Sequence, residues 1–387
     1  MMAATAAARA MAPAARGVRT RVGRVCALIT AALALVVATA SPALAHGPTP
    51  DASNFASRVT GNVIMVDGKP GADAQTPQGV QWRILGADAL LQVHNTGDSD
   101  VIITGYNSEP FLRVGPEGTF ENRRSPAAYL NADRYAQVEV PADADAAAEP
   151  EWRKLSDEPQ WQWHDHRIHW MAQESPPQVE ESSGVTQTVL DWNVPYQVAD
   201  QQLAVQGVLE WIPPGPVWPW LVGAAVAVVV PVAVLTGRGR SHAATRALIA
   251  IIGAVAVAGI VVAIGDVLAT PASLGANAWA VTQTLVPAAI AVALAGSVWR
   301  HAPSDEEAAT TTTLLVAAAI LAISGGFVRL AELRSSQIVN ALPPWSVRAV
   351  VAASMVVIVP ALLVMLSRDR TPRPDRTVAP DDSPRAA

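Results

Sequence analysis

The stretch Leu-Glu-Trp-Ile-Pro-Pro-Gly-Pro-Val-Trp-Pro-Trp, residues 209–220, divides the chain into two regions of different composition. The prolines and the glycine between Pro213 and Pro216 suit neither a central strand nor a helix interior, so they end any element that reaches them. Trp218 and Trp220 follow, and indoles concentrate where a membrane meets water. We therefore expect a folded domain before this stretch and membrane helices after it.

Five apolar stretches follow the junction, each near the ~20 residues that a helix needs to cross the hydrocarbon core of a bilayer. They cover residues 217–236, 247–269, 277–299, 311–333 and 346–367. Their richness in Ala, Val and Gly suits close packing between helices in lipid. We predict an all-α five-helix transmembrane domain over 217–367. The tail over 368–387 is rich in Pro, Asp and Arg, and we expect it to be disordered.

The first 45 residues have the features of a signal peptide. Five arginines between Arg9 and Arg24 precede an apolar run, and Ala43-Leu44-Ala45 has the small-x-small pattern that signal peptidase recognises. Cleavage after Ala45 would make His46 the N-terminus and would place residues 46–216 outside the cytoplasm. Basic residues then follow the first, third and fifth spans, as the positive-inside rule requires for cytoplasmic segments. We predict a multi-pass protein of the cell membrane with a cytoplasmic tail.

The charge of residues 46–216 is strongly acidic. This region has 24 Asp and Glu against 10 Lys and Arg, a formal net charge of −14. A negative surface argues against nucleic acid as a partner and is compatible with cations. The bilayer and another envelope protein are the macromolecular partners that we expect.

Short β-prone runs separated by turn residues are typical of a β-sandwich. The runs cover residues 80–85, 89–94, 101–106, 111–114, 185–194 and 203–211. The polar segments 143–149 and 174–184 are predicted as loops. We predict seven or eight strands in an immunoglobulin-like extracytoplasmic domain over 46–216.

The segment Trp163-His164-Asp165-His166-Arg167-Ile168-His169-Trp170 holds three histidines between two tryptophans. If it is a strand, His164 and His166 share a face, and His169 joins them only where a bulge or turn follows Arg167. Imidazole nitrogens, together with the amine and ring of an N-terminal His46, suit copper(II). Zinc fits if a carboxylate such as Asp165 or Glu109 supplies a further ligand.

Other interpretations of the same histidines remain open. They could form a hydrogen-bonded polar patch between two sheets, or they could sense pH. The chain lacks a Gly-x-Ser-x-Gly elbow, a phosphate-binding glycine loop and a His-Glu-x-x-His helix, so we do not expect an enzyme. The sequence favours copper binding or trafficking. The alternative is a non-metal interaction or sensor protein that acts as a subunit of a membrane assembly.

Charged residues near the ends of two predicted spans form a second notable group. Asp266 lies near the end of the second span, and Arg329 and Glu332 lie near the end of the fourth. Ionisable groups at membrane depth usually pair with each other or line a pathway. We expect Asp266 and Arg329 to form an ion pair between two helices, and a proton or ion relay is the alternative.

Several motifs in the region before the junction carry a family resemblance. They are Tyr106, Glu109-Pro110, Glu121-Asn122, Ser125-Pro126, Tyr129-Leu130-Asn131 and the run from His164 to Trp170. With them the chain resembles a family of uncharacterised actinobacterial exported membrane proteins, which join a β-rich outer domain to a C-terminal helical bundle. The resemblance implies that architecture and no established activity. In its N-terminal histidine and single outer β-domain, the chain is architecturally similar to periplasmic copper-handling proteins of the CopC and YcnI kinds.

Overall fold

The structure is a computed structural model that describes residues 52–172, 174–181, 184–269, 274–301 and 307–369. The predicted signal peptide, His46 and the tail from residue 370 onward lie outside the described residues. The last helix ends at Asp369, two residues beyond the predicted end of the helical domain at 367.

The N-terminal part of the described chain is a β-sandwich, which we call the β domain. The strands are β1 (Phe55–Val66), β2 (Lys69–Ala74), β3 (Val80–Leu85), β4 (Leu90–Asn95), β5 (Val101–Thr104), β6 (Pro110–Gly115), β7 (Gly118–Asn122), β8 (Trp152–Ser156), β9 (Gln160–Trp163), β10 (Gln187–Val198) and β11 (Gln201–Trp211). The larger sheet has the order β2-β1-β11-β10-β5-β6-β7-β8, and the smaller has the order β3-β4-β9. This confirms the predicted fold class, although seven or eight strands was too few.

The core of the β domain lies between the two sheets. Leu91 and Val93 of the small sheet pack in one cluster with Ile103, Leu112 and Tyr196 of the large sheet, and each is at most 1% exposed. Alternate residues of a strand point to opposite faces, so one apolar face from each sheet fills this layer. The Tyr196 hydroxyl finds a buried acceptor because it donates to the side chain of Asn62 at 2.7 Å.

The β domain also contains a helical turn, α1 (Ala127–Leu130), and loops in the two segments that were predicted as loops, where they are described. The turn between β1 and β2 is built by Asp67 and Gly68, whose φ angles are +50° and +74°. Positive φ at both central residues is the geometry of the tight hairpin turns that suit twisted strands, and Asp-Gly adopts it readily. This hairpin forms one edge of the large sheet.

The C-terminal part is a bundle of helices. They are α2 (Trp218–Gly237), α3 (Ser241–Ala269), α4 (Leu274–His301), α5 (Glu307–Leu321, continued as a π-helix over Ala322–Phe327), α6 (Leu330–Arg334), α7 (Pro344–Val356) and α8 (Ile358–Asp369). Five segments are long and apolar enough to cross a membrane: Trp218–Gly237, Ser241–Ala269, Val281–Arg300, Ala309–Phe327 and Pro344–Ser367. The five predicted spans are thus confirmed, and these helices are those of a membrane-anchored protein.

The ends of the helices differ from the prediction at several places. Helix α3 begins at Ser241 instead of residue 247, so His242 lies in its first turn. Helix α4 ends at His301, two residues beyond the predicted end of the third span at 299. The fourth apolar helix ends at Phe327, and Arg329 follows this end instead of lying inside the span.

A polar cluster joins the ends of α3 and α6. Arg329 donates to both carboxylate oxygens of Asp266, at 2.8 and 3.1 Å, and it contacts Glu332 at 2.6 Å. The side chain of Asn340 also donates to Asp266, at 2.6 Å. These contacts confirm the predicted Asp266–Arg329 pair, and a bidentate Arg–carboxylate pair fixes orientation as well as distance.

The β domain contacts the segment between α6 and α7. Ser53 and Gln337 form a pair of backbone hydrogen bonds, 3.2 and 2.9 Å long, in an isolated antiparallel bridge. The Asn54 side chain accepts a hydrogen bond from the Ser336 backbone at 2.9 Å. The β domain is therefore held by the helical bundle just before β1, in addition to its covalent connection after β11.

Candidate metal centre

The histidine segment begins where β9 ends. Strand β9 stops at Trp163, so His164 and His166 do not lie on a strand. The chain turns instead: the backbone N–H of Ile168 donates to the carbonyl of Asp165 at 3.1 Å, and Ile168 is fully buried. This turn lets His169 join the other two histidines, as was expected if the chain turned near Arg167.

Asp165 holds the turn from inside. Its carboxylate is fully buried and accepts hydrogen bonds from the Arg167 backbone N–H at 3.1 Å and from the Arg167 guanidinium at 2.7 and 2.8 Å. The Trp163 indole donates to the same carboxylate at 2.8 Å. An Asp side chain that accepts from the backbone two residues later forms an Asx turn, which competes with the extended conformation. This local chemistry explains why the strand ends before His164.

The turn brings three imidazole rings together. The ring centroids of His164 and His169 are 4.4 Å apart, and His166 lies 5.6 Å from His164 and 5.7 Å from His169. One ring nitrogen from each of the three lies within 4.8 Å of the others. A metal ion bound at about 2.0–2.1 Å in tetrahedral geometry would place such nitrogens about 3.3 Å apart. Ring movements of about 1 Å would therefore be enough to close the site on an ion.

Each ring is oriented by a backbone carbonyl. His164 Nδ1 bonds to Ala89 O at 2.6 Å, His166 Nε2 to Asp133 O at 2.8 Å, and His169 Nδ1 to Trp170 O at 3.1 Å. A carbonyl only accepts, so each of these ring nitrogens carries the proton. In a neutral imidazole the other nitrogen then has a free lone pair.

The remaining nitrogens include two buried atoms without partners. His164 Nε2 and His169 Nε2 are buried and make no hydrogen bond to any described residue. Buried polar atoms in native proteins nearly always find a partner, and an unpaired one requires an explanation. An outer hydrogen bond to a carbonyl combined with a free inner nitrogen is the usual arrangement of metal-binding histidines.

Burial keeps two of the rings neutral. Burial is the main factor that lowers the pKa of His164 to about 4 and that of His169 to about 3. The positive charge of Arg134 lowers both pKa values further. A contact with the Arg134 backbone acts in the opposite direction and raises the pKa of His164. This contact does not have the geometry of a hydrogen bond to Nε2. At neutral pH neither ring therefore has to lose a proton before it can bind a metal ion.

A second ion pair lies beside the histidines. Arg134 binds the buried carboxylate of Asp88 at 2.7 Å, and Asp88 directly precedes Ala89, the partner of His164. Burial raises the pKa of Asp88, and the neighbouring Arg134 opposes that rise. The pairing partly neutralises a positive charge that would otherwise repel a bound cation.

Tyr106 covers the outer side of the group. Its ring stacks on His166 with centroids 5.8 Å apart, and its hydroxyl accepts from the His166 backbone N–H at 2.9 Å while it donates to the side chain of Asn131. The Arg167 guanidinium lies 5.0 Å from the centre of the same ring. Burial, followed by the charge of Asp165, raises the pKa of Tyr106, so its hydroxyl stays protonated and fixes the ring beside the histidines.

The predicted site residues are thus placed in three different ways. His164, His166 and His169 come together, whereas His46 lies outside the described residues. The two carboxylates named for zinc have other partners: Asp165 binds Arg167, and Glu109 accepts from Ser125 at 2.6 Å. The carbonyls that orient the rings were not predicted from the sequence.

Comparisons with known proteins find no similar chain. No protein-family profile, curated protein or solved structure matches it. The assignment of a function therefore depends on the geometry described above.

Proposed function

We propose that this protein is a membrane-anchored copper-binding protein whose β domain holds the ion at His164, His166 and His169. One observation carries the proposal: each ring is held by a backbone carbonyl through one nitrogen, while the other nitrogens include two buried and unpaired atoms. A purely structural polar patch would be expected to pair its buried nitrogens.

The choice of copper follows from the ligand set. Among the residues that the structure describes, the group contains three imidazoles and no thiolate or carboxylate, which makes a neutral nitrogen site. Copper(II) binds nitrogen ligands more tightly than the other divalent first-row metals do. Zinc is the main competitor, because three histidines with an open fourth position also form zinc sites. Direct competition between the two ions separates these choices.

The location of the site sets its biological role. We propose that the β domain is extracytoplasmic, on the basis of the signal-peptide pattern and the basic residues after the first, third and fifth spans. The protein would then bind or transfer copper at the outer surface of the cell membrane. After cleavage, the free amine and ring of His46 would supply further nitrogen ligands.

The experiment is a metal titration of the full-length protein in detergent after removal of metals with a chelator. We expect one copper(II) ion per chain, nitrogen hyperfine structure in electron paramagnetic resonance, and copper retained against equimolar zinc. His166→Ala removes one of the three ligands, and we expect at least about 100-fold weaker binding, since loss of even an outer-shell partner costs 10–100-fold. The matched control is His94→Ala, because His94 lies on β4 outside the group.

Three results would change the conclusion. Equal binding by wild type and His166→Ala would reject the site. Retention of zinc over copper would keep the site and reject the metal. If neither copper(II) nor zinc binds, the three histidines are a structural polar patch, and the interaction or sensor function is favoured. Comparison of chains with a free and a blocked His46 amine then tests the predicted N-terminal ligand.

A further inference from the structure

A groove runs along the surface of the helical bundle between α3 and α4. Its volume is about 350 Å³, and it is lined by Ile249, Gly253, Val292, Ala295, Gly296, Trp299 and Arg300. The walls are apolar except at one end, where α3 begins and α4 finishes. The groove is separate in sequence from the histidine group and contains none of its residues.

Positive charge is concentrated at that end. Arg246 and Arg300 are both exposed, and neither forms an ion pair with any residue that the structure describes. The Arg246 guanidinium lies 5.8 Å from the centre of the Trp299 ring, and Trp299 is 60% exposed. Tryptophan and arginine at the end of a membrane helix are typical of the headgroup region of a bilayer.

The floor of the groove is open. A Cβ atom built at Gly253 or at Gly296 would meet no other atom within 4 Å. At 1.5 Å per helical residue, Gly253 lies about 10 Å along α3 from Arg246, and Val292 lies about 12 Å along α4 from Arg300. The groove therefore extends about 10–12 Å from its charged end, so it reaches the depth at which the upper part of an acyl chain lies in a bilayer.

We propose that this groove binds one anionic phospholipid. The phosphate lies at Arg246 and Arg300, and an acyl chain lies over Gly253 and Gly296. Charge complementarity selects the occupant: basic pockets between membrane helices attract anionic headgroups, whereas a zwitterionic lipid gains less from two arginines. The concave apolar wall gives the chain a larger contact than a convex helix surface would give.

The test is native mass spectrometry of the full-length protein released from detergent micelles with phosphatidylglycerol or phosphatidylcholine added. We expect one phosphatidylglycerol to be retained per chain, with about tenfold preference over phosphatidylcholine, which corresponds to about 1.4 kcal/mol. The double variant Arg246→Gln, Arg300→Gln should lose the preference. Gly253→Leu fills the groove, and it should reduce retention of both lipids.

Two variants serve as matched controls. Arg238→Gln removes an exposed arginine outside the groove, and Gly259→Leu places a leucine at another open glycine of α3. Both should bind phosphatidylglycerol as the wild type does. Equal retention of the two lipids by the wild type would overturn the proposal. Unchanged binding in the double variant would overturn it as well.

Discussion

Replacement of Asp165 by alanine tests the centre of the histidine turn. The Asp165 carboxylate is fully buried and carries four hydrogen bonds, three from Arg167 and one from the Trp163 indole. Asp165→Ala removes all four and leaves the guanidinium in the interior, where its remaining hydrogen bond goes to the Thr104 carbonyl at 3.1 Å. The variant therefore measures how strongly this network holds the β domain together.

The magnitude follows from two contributions. Breaking a buried ion pair by removal of one partner costs about 3–5 kcal/mol. The indole N–H loses its acceptor, which costs about 1–3 kcal/mol when the group stays buried. Together we expect a loss of about 4–8 kcal/mol in the free energy of unfolding of the β domain. Whole domains have about 5–15 kcal/mol, so Asp165→Ala should be close to unfolding at room temperature.

The assay is pulse proteolysis of the full-length protein in detergent over a urea series, with the intact fraction of the β domain as the readout. With a urea slope of about 2 kcal/mol per molar, a 4 kcal/mol loss lowers the midpoint by about 2 M. The control is Asp165→Leu, Arg167→Met, which removes both charges and should recover at least about 2 kcal/mol. A single variant within about 1 kcal/mol of the wild type, or a double variant no more stable than the single, would refute the reasoning.

Two further predictions concern pH and the membrane polar cluster. The pKa of histidine in the unfolded chain is about 6.5. In the folded protein the pKa of His164 is about 4 and that of His169 is about 3. The stability that these two neutral rings contribute is therefore fully present above pH 6.5 and is lost as the pH falls toward 3. At pH 5 each ring should cost about 2 kcal/mol, and equal urea midpoints at pH 7.5 and pH 5 in a chelator would contradict this. Arg329→Met leaves Asp266 and Glu332 without their cation, and we expect a loss of about 3–5 kcal/mol, seen as a lower temperature of aggregation in fluorescence-detected size-exclusion chromatography. An unchanged aggregation temperature would show that the cluster does not stabilise the bundle.

The helical part was predicted more accurately than the β part for a physical reason. Whether a segment can cross a bilayer depends on the sum of its own residues, so each span can be recognised without knowledge of its neighbours. Strands are stabilised by partners far away in sequence, and short polar strands such as β2 and β8 lack an apolar pattern. The Asp67-Gly68 turn was a usable signal for the first hairpin, because Asp-Gly favours the required φ angles.

The histidine site shows the same limit within a few residues. The three histidines could be named because they are close in sequence, but whether they lie on a strand or in a turn was left open, and Asp165 decides it by forming a turn with Arg167. Two of the three acceptors that orient the rings come from positions 89 and 133, tens of residues away, and only the Trp170 carbonyl is local. No local sequence pattern indicates which distant carbonyl will lie beside which ring. The carbonyls that orient His164 and His166 can therefore be identified only from the folded structure.

The bridge between Ser53 and Gln337 has a mechanical consequence. The residues just before β1 are bonded to the loop before α7, and the neighbouring strand β11 continues through Pro213–Pro216 directly into α2. A domain on one linker can swivel and sample a wide volume, whereas two anchors on adjacent strands resist both rotation and tilting. If the β domain exchanges metal as proposed above, a partner in the same membrane would therefore meet the histidines at a nearly constant height and angle. Docking would then lose little orientational entropy, and partners of the wrong height would be excluded.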